Sequence, residues 1–425
     1  MMPTPFNRIP AERVRESNPS IWVELSALAS EYNAVNLGQG FPDGPAPRFV
    51  TDELKKIAKH PELTCAHQYT SGYGHPKLVK ELSKWYSYLY QQQVNPKTNI
   101  LVTVGAYHAL YYSFHAWINE GDEVIIIEPA FDCYAPQIKL AGGVPVSIVM
   151  NFPDGGTNAS QFTVDFEKME SSITEKTKMI VINNPHNPTG KLFNRMELLK
   201  IADIAQKYDL IVVADEVYEF HCWGVNKMIR FASLPGMWNR TISIGSAGKV
   251  FSITGWKLGW AIGPDHLLAP LKAIHQNCIY ACSTPTQLAV AMAFEKEWET
   301  FHVKPHKSYL GGYLPEKLEI KRKKLQKMLV NAGFAPISPQ AGYFMLANYT
   351  HLNTGFRISE GFEELDDYSF TKWLCREKKL AVIPFTAFFA NIEDKMRNTS
   401  FVRFCFFKKD RTLNDAKKIM KKLSK

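Results

Sequence analysis

The sequence predicts an α/β protein with a mostly parallel central sheet in a large domain and a smaller α+β domain beside it. Three observations carry that expectation. Seven short, β-branched, apolar runs follow one another between residues 100 and 262, the pattern of strands buried on both faces. Helical patterns separate them, as crossovers between parallel strands require. Beyond about residue 303 strand and helix patterns alternate at wider spacing, in a chain of 425 residues that exceeds the usual single hydrophobic core.

Taken in order, residues 1–47 read as a Pro- and Gly-punctuated arm that includes one amphipathic stretch around residues 22–29 and joins the smaller domain. The large domain is expected to span 48–302. Its strands are expected at 100–104, 124–127, 144–149, 179–182, 210–214, 241–244 and 258–262. Between the fourth and fifth, Leu198, Ile201, Ala202 and Ala205 recur at helical spacing, and Asn194 with Glu197 three residues later resembles a capping box. Residues 303–425 complete the smaller domain. They offer a long basic helix over 315–332, a strand at 343–347, a helix at 368–378, strands at 380–383 and 401–406, and a terminal helix.

Composition excludes several classes. With 45% hydrophobic and 21% charged residues, the chain is neither disordered nor fibrous. Much of the excess behind its formal charge of +9 sits at 321–324 and at Lys417, Lys418, Lys421, Lys422 and Lys425, which read as solvated helix faces. No zinc spacing, RNA-binding pattern or helix-turn-helix pattern accompanies it, so no nucleic-acid partner is expected. No run of about 18 apolar residues occurs, so no membrane span is expected either. The start carries Arg8, Arg13 and Arg15 among Glu12 and Glu16 without an apolar core, and shows no secretory or transit leader. The expected compartment is the cytoplasm, with a mitochondrion left open because a removed leader leaves no trace. Seven irregularly spaced cysteines argue against a disulfide framework. Cys278 and Cys282 lack the further ligands of a metal site and read as small buried side chains, so no metal is expected.

Chemistry enters with Lys249, in the turn Ser246-Ala247-Gly248-Lys249. Its company is Asn187 in Asn183-Asn184-Pro185-His186-Asn187-Pro188-Thr189-Gly190, Asp215 at the end of an apolar run, and the late Arg403. One chemistry would use all four: that of pyridoxal 5'-phosphate (PLP), which must have its phosphate held, its ring nitrogen kept protonated, its aldehyde joined to an amine, and its substrate oriented. Lys249 would supply the amine and then act as general base. Asp215, at the carboxyl end of a buried strand, would face the ring nitrogen. Gly105, Ala106 and Tyr107, where the strand at 100–104 turns into a helix, would offer backbone donors to the phosphate, with Ser246 and Lys257 adding a hydroxyl and a cation. Asn187 and Tyr218 would bind the phenolic oxygen, Phe131 or Tyr107 would stack on the ring, and Arg403 would grip an α-carboxylate. Each residue alone has a plainer reading: a surface lysine, an Asp capping a helix, an Asn-Pro turn, an arginine paired in the core, aromatic residues packing a core.

The chain resembles the fold-type I PLP-dependent aminotransferases of class I/II, and within them the kynurenine aminotransferase and glutamine transaminase K group. The stretches that carry this are residues 35–43 (VNLGQGFPD), 68–70 (QYT), 121–129 (GDEVIIIEP), 131–134 (FDCY), 234–238 (LPGMW), the Lys249 segment and 402–406 (VRFCF). The resemblance implies that Lys249 forms the imine with PLP, that Asp215 partners the ring nitrogen, and that Gly40, Trp22, Tyr107, Asn187 and Tyr280 lie on the substrate side with Arg403. It also implies a homodimer with shared sites, in which Tyr69 reaches the phosphate of the neighbour. Lys257 stands where the wider family carries arginine, and Thr189 where relatives in the narrower group often carry leucine; the first changes phosphate geometry and the second leaves the substrate range open.

The implied activity is amino transfer from L-kynurenine, whose oxo product closes to kynurenic acid, and from aromatic or uncharged donors such as glutamine, methionine and phenylalanine, to 2-oxo acids. An accompanying cysteine-S-conjugate β-lyase activity is implied by the same group. Two rival expectations remain open: a same-fold PLP enzyme devoted to elimination or cyclisation, and a non-catalytic PLP-binding regulator.

Overall fold

The computed structural model describes residues 8–15, 20–352, 356 and 364–423; Glu16 and Lys425, named above, lie outside them. Each of the seven expected runs of the large sheet is a strand: β1 (Ile100–Thr103), β2 (Glu123–Glu128), β3 (Val144–Val149), β4 (Thr177–Asn183), β5 (Ile211–Asp215), β6 (Thr241–Ser246) and β7 (Gly259–Ile262). They lie side by side in the order β1-β7-β6-β5-β4-β2-β3. Every neighbouring pair is parallel except those made by β7, which runs antiparallel to both β1 and β6.

Alternation along these strands divides the core in two. Val124, Ile126, Val181, Val213 and Ile244 face one apolar cluster, while Ile125, Ile127, Ile180, Ile182, Val212 and Ala214 face the other. That period of two is the strand geometry itself, and helices on both faces exclude water from it. Helix Arg195–Lys207 covers the second face and opens with the expected capping box, in which the Asn194 and Glu197 side chains each bond the other's backbone N–H.

The strands extend past the sequence expectation at four carboxyl ends, β2 among them at Glu128. β4 continues to Asn183, β5 to Asp215 and β6 to Ser246, and Asn183 pairs directly with Asp215. Three polar side chains therefore leave three adjacent strands at one edge of the sheet.

The later part of the chain builds an antiparallel four-stranded sheet in the order Ile383–Pro384, Phe401–Cys405, Phe344–Asn348, Ala335–Pro336. Arg403 pairs with Leu346 on one side and Ile383 on the other. The single strand expected at 380–383 is instead two. Leu380–Ala381 pairs in parallel with Val35–Asn36 of the N-terminal arm, and Ile383–Pro384 pairs with Phe401–Cys405. The chain changes partner at Val382, whose carbonyl lies so close to Gly38 that a Cβ there would stand 2.9 Å from it, and Pro384 then ends the strand for want of an N–H.

Candidate active site

Asp215 marks the end of β5 and is buried. Its Oδ2 accepts a hydrogen bond from the Tyr134 hydroxyl at 2.5 Å and its Oδ1 one from the Val217 N–H at 3.4 Å. Burial raises its pKa to about 6, although both bonds and the charge of Lys249 pull the other way. On the neighbouring strand Asn183 donates from Nδ2 to the Asp215 carbonyl at 2.9 Å and accepts the Asn187 N–H at 2.7 Å. The Asn-Pro loop is thereby tied to the strand that carries the acid.

Asn187 passes the chain of bonds to Arg403. The guanidinium donates from Nη1 to Asn187 Oδ1 at 2.8 Å and from Nη2 to the Gly38 carbonyl at 2.9 Å. Its Nε has no partner. The rings of Phe344, Phe388 and Trp22 surround it at 3.9, 4.9 and 5.2 Å, which replaces hydration by ring faces. Burial still lowers its pKa to about 10. The guanidinium stays charged at neutral pH.

Lys249 lies in the short helix Ala247–Val250 that follows β6. Its Nζ donates to the Tyr343 hydroxyl at 2.9 Å and to the Gly40 carbonyl at 3.2 Å, and the same hydroxyl donates to Gly40 at 2.6 Å. Burial is the main cause that brings its pKa down to about 8, with the cations Arg403 and Lys257 adding to it and Asp215 opposing. Neutral oxygens hold the amine.

β1 ends at Thr103, and Gly105 then turns the chain into helix Ala106–Trp117 at φ 77° with no side-chain cap. Such a start offers free backbone donors and the positive end of the helix dipole. A Cβ on Gly105 would stand 3.6 Å from Lys257 Nζ, so the lysine amine lies at the same turn, and Ser246 comes from the end of β6.

Trp22, Gly40, Gly105, Ala106, Tyr107, Phe131, Asn187, Asp215, Tyr218, Ser246, Lys249, Lys257 and Arg403 all line one cavity of about 320 Å³. Tyr69 and Tyr280 do not line it. Both are exposed, at 86% and 54%, and they pack edge to face at 5.5 Å on the outside of the chain. Five residues that sequence reasoning did not single out belong to the site or its support: Asp132, Tyr134, Asn183, Tyr343 and Phe344. Asp132 and Tyr134 stand in the stretch read for the Phe131 ring; their polar groups were the available signal. Asp132 Oδ2 accepts from Trp22 Nε1 at 2.5 Å. Among the described residues no cluster of His, Cys, Asp and Glu suits a metal ion, and no helix is long and apolar enough to cross a membrane.

The family described as aminotransferase class I and II matches residues 32–418. The chain belongs to the class I and II aminotransferases. It is 46% identical over 414 residues to kynurenine–oxoglutarate transaminase 3 of Homo sapiens, covering 97% of this chain and 89% of that protein. It is 40% identical over 411 residues to kynurenine–oxoglutarate transaminase 1 of Rattus norvegicus, covering 96% of each. Among solved structures, YbdL of Escherichia coli, described with a methionine aminotransferase function, superposes with a TM-score of 0.84 at 29% identity over 98% of this chain and all of that one. The α/β architecture with its mostly parallel seven-stranded sheet is that of these aminotransferases.

Proposed function

We propose that this aminotransferase binds PLP in the cavity and transfers the amino group of L-kynurenine, and of aromatic or uncharged amino acids such as glutamine, methionine and phenylalanine, to 2-oxo acids. One observation carries the reading: an amine depressed to about 8, a buried acid at about 6 and an arginine with a free N–H all line the same cavity. The names of the relatives supply the donor, and an aromatic lining supports it.

The residues present fit the cofactor. Gly105, Ala106, Tyr107, Ser246 and Lys257 would hold the phosphate, Asn187 and Tyr218 the phenolic oxygen, Asp215 the ring nitrogen, and Phe131 the ring face. When bound, PLP supplies the electron sink that lets the Cα proton of an amino acid leave. Asp215, ionised above about pH 6, would keep a proton on the ring nitrogen. Arg403 takes the α-carboxylate beside Gly40 and Asn187 and holds it against Trp22 and Phe344. Lys249 would accept the Cα proton and return it, and in the cofactor-free protein the Tyr343 hydroxyl and the Gly40 carbonyl hold its Nζ at the cavity.

We further propose a homodimer in which the exposed Tyr69 and Tyr280 face the partner's site, a division into a large domain (48–302) and a small one (1–47 and 303–425), a β-lyase side activity and a cytoplasmic location. The reading is tested with purified protein given PLP, L-kynurenine and a 2-oxo acid. Wild type should gain a visible absorbance band and form kynurenic acid, and Lys249→Ala should lose both. A protein that gains no band, or a Lys249→Ala protein with full exchange, refutes it.

A further inference from the structure

We propose that Lys408 is a positioning residue for the α-carboxylate site: its amine fixes the bend at Gly40 from behind, and through that bend it aligns the groups that receive the substrate. This rests on the aminotransferase reading above and extends it to a side chain that does not line the cavity. Lys408 is buried, at 3% exposure. Its Nζ donates to the Gln39 carbonyl at 3.0 Å and to the Phe41 carbonyl at 2.8 Å, and stands 4.6 Å from the centre of the Phe41 ring. Between those two carbonyls the chain bends, the Phe41 N–H donating to the Gln39 carbonyl at 3.0 Å, and Gly40 is the apex. Carbonyls alternate along this stretch. Those of Gly38 and Gly40 accept from Arg403 and from Lys249 and Tyr343, whereas those of Gln39 and Phe41 accept from Lys408. One side of the segment is held by groups of the site and the other by this one amine.

The position of Gly40 matters because the packing leaves it no slack. A Cβ there would stand 2.7 Å from the Phe344 ring, so the backbone itself packs on that ring, and the ring lies 3.9 Å from the Arg403 guanidinium. A shift of Gly40 is therefore passed to Phe344 and on to Arg403. Lys408 is fixed in turn by the strand that carries the guanidinium. Phe401–Cys405 runs on through Phe406, whose N–H donates to the Tyr343 carbonyl at 3.0 Å and whose carbonyl accepts the Lys408 N–H at 2.8 Å. Arg403 and Lys408 thus leave one stretch of chain and hold the arm at successive carbonyls. Without the Lys408 amine the Phe41 carbonyl loses this donor, and it regains one by turning toward water, which moves Gly40.

Lys408→Met keeps the stem and removes both donors. In that variant KM for phenylalanine should rise about tenfold with kcat within about threefold of wild type, since a displaced carboxylate site weakens the binding of substrate and transition state alike. Calorimetric titration with butyrate, of the PLP-loaded and of the cofactor-free protein, needs no turnover and should show an affinity lower by a similar factor. PLP affinity, read by absorbance, should stay within about threefold, because the Gly105 turn and Asp215 belong to other elements. Lys408→Arg, which keeps N–H donors at the end of a long stem, should hold all three readings within about threefold of wild type. Lys408→Gln, uncharged and shorter by one bond, takes the place of Lys408→Met if the latter does not fold, with the same shifts expected. If KM and butyrate affinity do not move, if PLP affinity falls as far as butyrate affinity, or if Lys408→Arg is as weak as Lys408→Met, Lys408 merely supports the fold and the proposal is overturned. Should wild type exchange no amino groups at all, the proposed function fails on its own, and the butyrate titrations still decide the role of Lys408.

Discussion

Replacing Lys249 by methionine should stabilise the cofactor-free protein while it abolishes turnover. In the unfolded chain the amine has its ordinary pKa of 10.5, and in the folded protein burial brings it to about 8. At about 1.4 kcal/mol per pKa unit, holding a protonated Lys249 in the fold costs about 3 kcal/mol at neutral pH. Part of the side chain faces the cavity, where water screens the charge, so the recoverable amount is about 2 kcal/mol. Methionine is of similar length, and its introduction leaves no orphan: Gly40 O still accepts from the Tyr343 hydroxyl at 2.6 Å. The pH dependence follows from the direction of the shift. Between about pH 8 and 10.5 the unfolded state binds more protons at this site than the folded state, so wild type gains stability as pH rises through that window, and its deficit against Lys249→Met closes. The assay is urea denaturation of both cofactor-free proteins, followed by tryptophan fluorescence, at several pH values from 7 to above 10 (order of magnitude set by the same linkage). A variant no more stable than wild type at neutral pH, or a difference that stays constant across the window, would refute the account of Lys249 as a cation held against its solvation.

Two further outcomes follow from the same site. Arg403→Lys keeps the charge but cannot donate to Asn187 Oδ1 and Gly38 O and still present a further N–H, so kcat/KM for every amino donor should fall by roughly thirtyfold or more, chiefly through KM; a loss within about threefold would show that the fork is not used. Asp215→Asn should weaken PLP binding, read by absorbance titration. In wild type that binding should also weaken as pH falls through about 6, where the acid gains its proton, and a variant that retained the same step would place the step on another group.

Local patterning wrote the large sheet legibly. Seven β-branched runs are seven strands; all but the half-exposed edge strand β3 are largely buried on both faces, and no competing periodicity overlaps them. The capping box at Asn194 and Glu197 was legible for a similar reason: its bonds close within a single turn. Sheet membership was not. Nothing in residues 380–383 states that Leu380–Ala381 joins the arm while Ile383–Pro384 joins Phe401–Cys405, since that depends on Gly38 meeting Val382 from a distant part of the chain. Helix Pro76–Tyr90 is hard to read from sequence because its apolar face is made largely of aromatic residues, Trp85, Tyr86 and Tyr90 among them, and its cap is His75, whose Nδ1 accepts from Lys77 N–H at 3.1 Å. Histidine is not among the residues a cap is read from.

The same distinction governs the site. Lys249, Asp215, Asn187 and Arg403 could be named because the chemistry they serve demands particular functional groups. Asn183 and Tyr343 could not, because their work is geometric: one ties the Asn187 loop to Asp215, the other holds the Lys249 amine against Gly40, and both are defined by partners distant in sequence or on another strand. Their placement explains how the fold tolerates a half-buried amine and a buried guanidinium without a carboxylate bonded to either. Carbonyls, an amide oxygen, a phenol and three aromatic faces meet Lys249 and Arg403, and none of these cancels a charge. A carboxylate hydrogen-bonded to Arg403 would have been the more stable choice for folding and would have competed with the substrate for the same N–H groups. The site gives up part of the stability that the two apolar clusters provide, and keeps the amine and the guanidinium available to ligands.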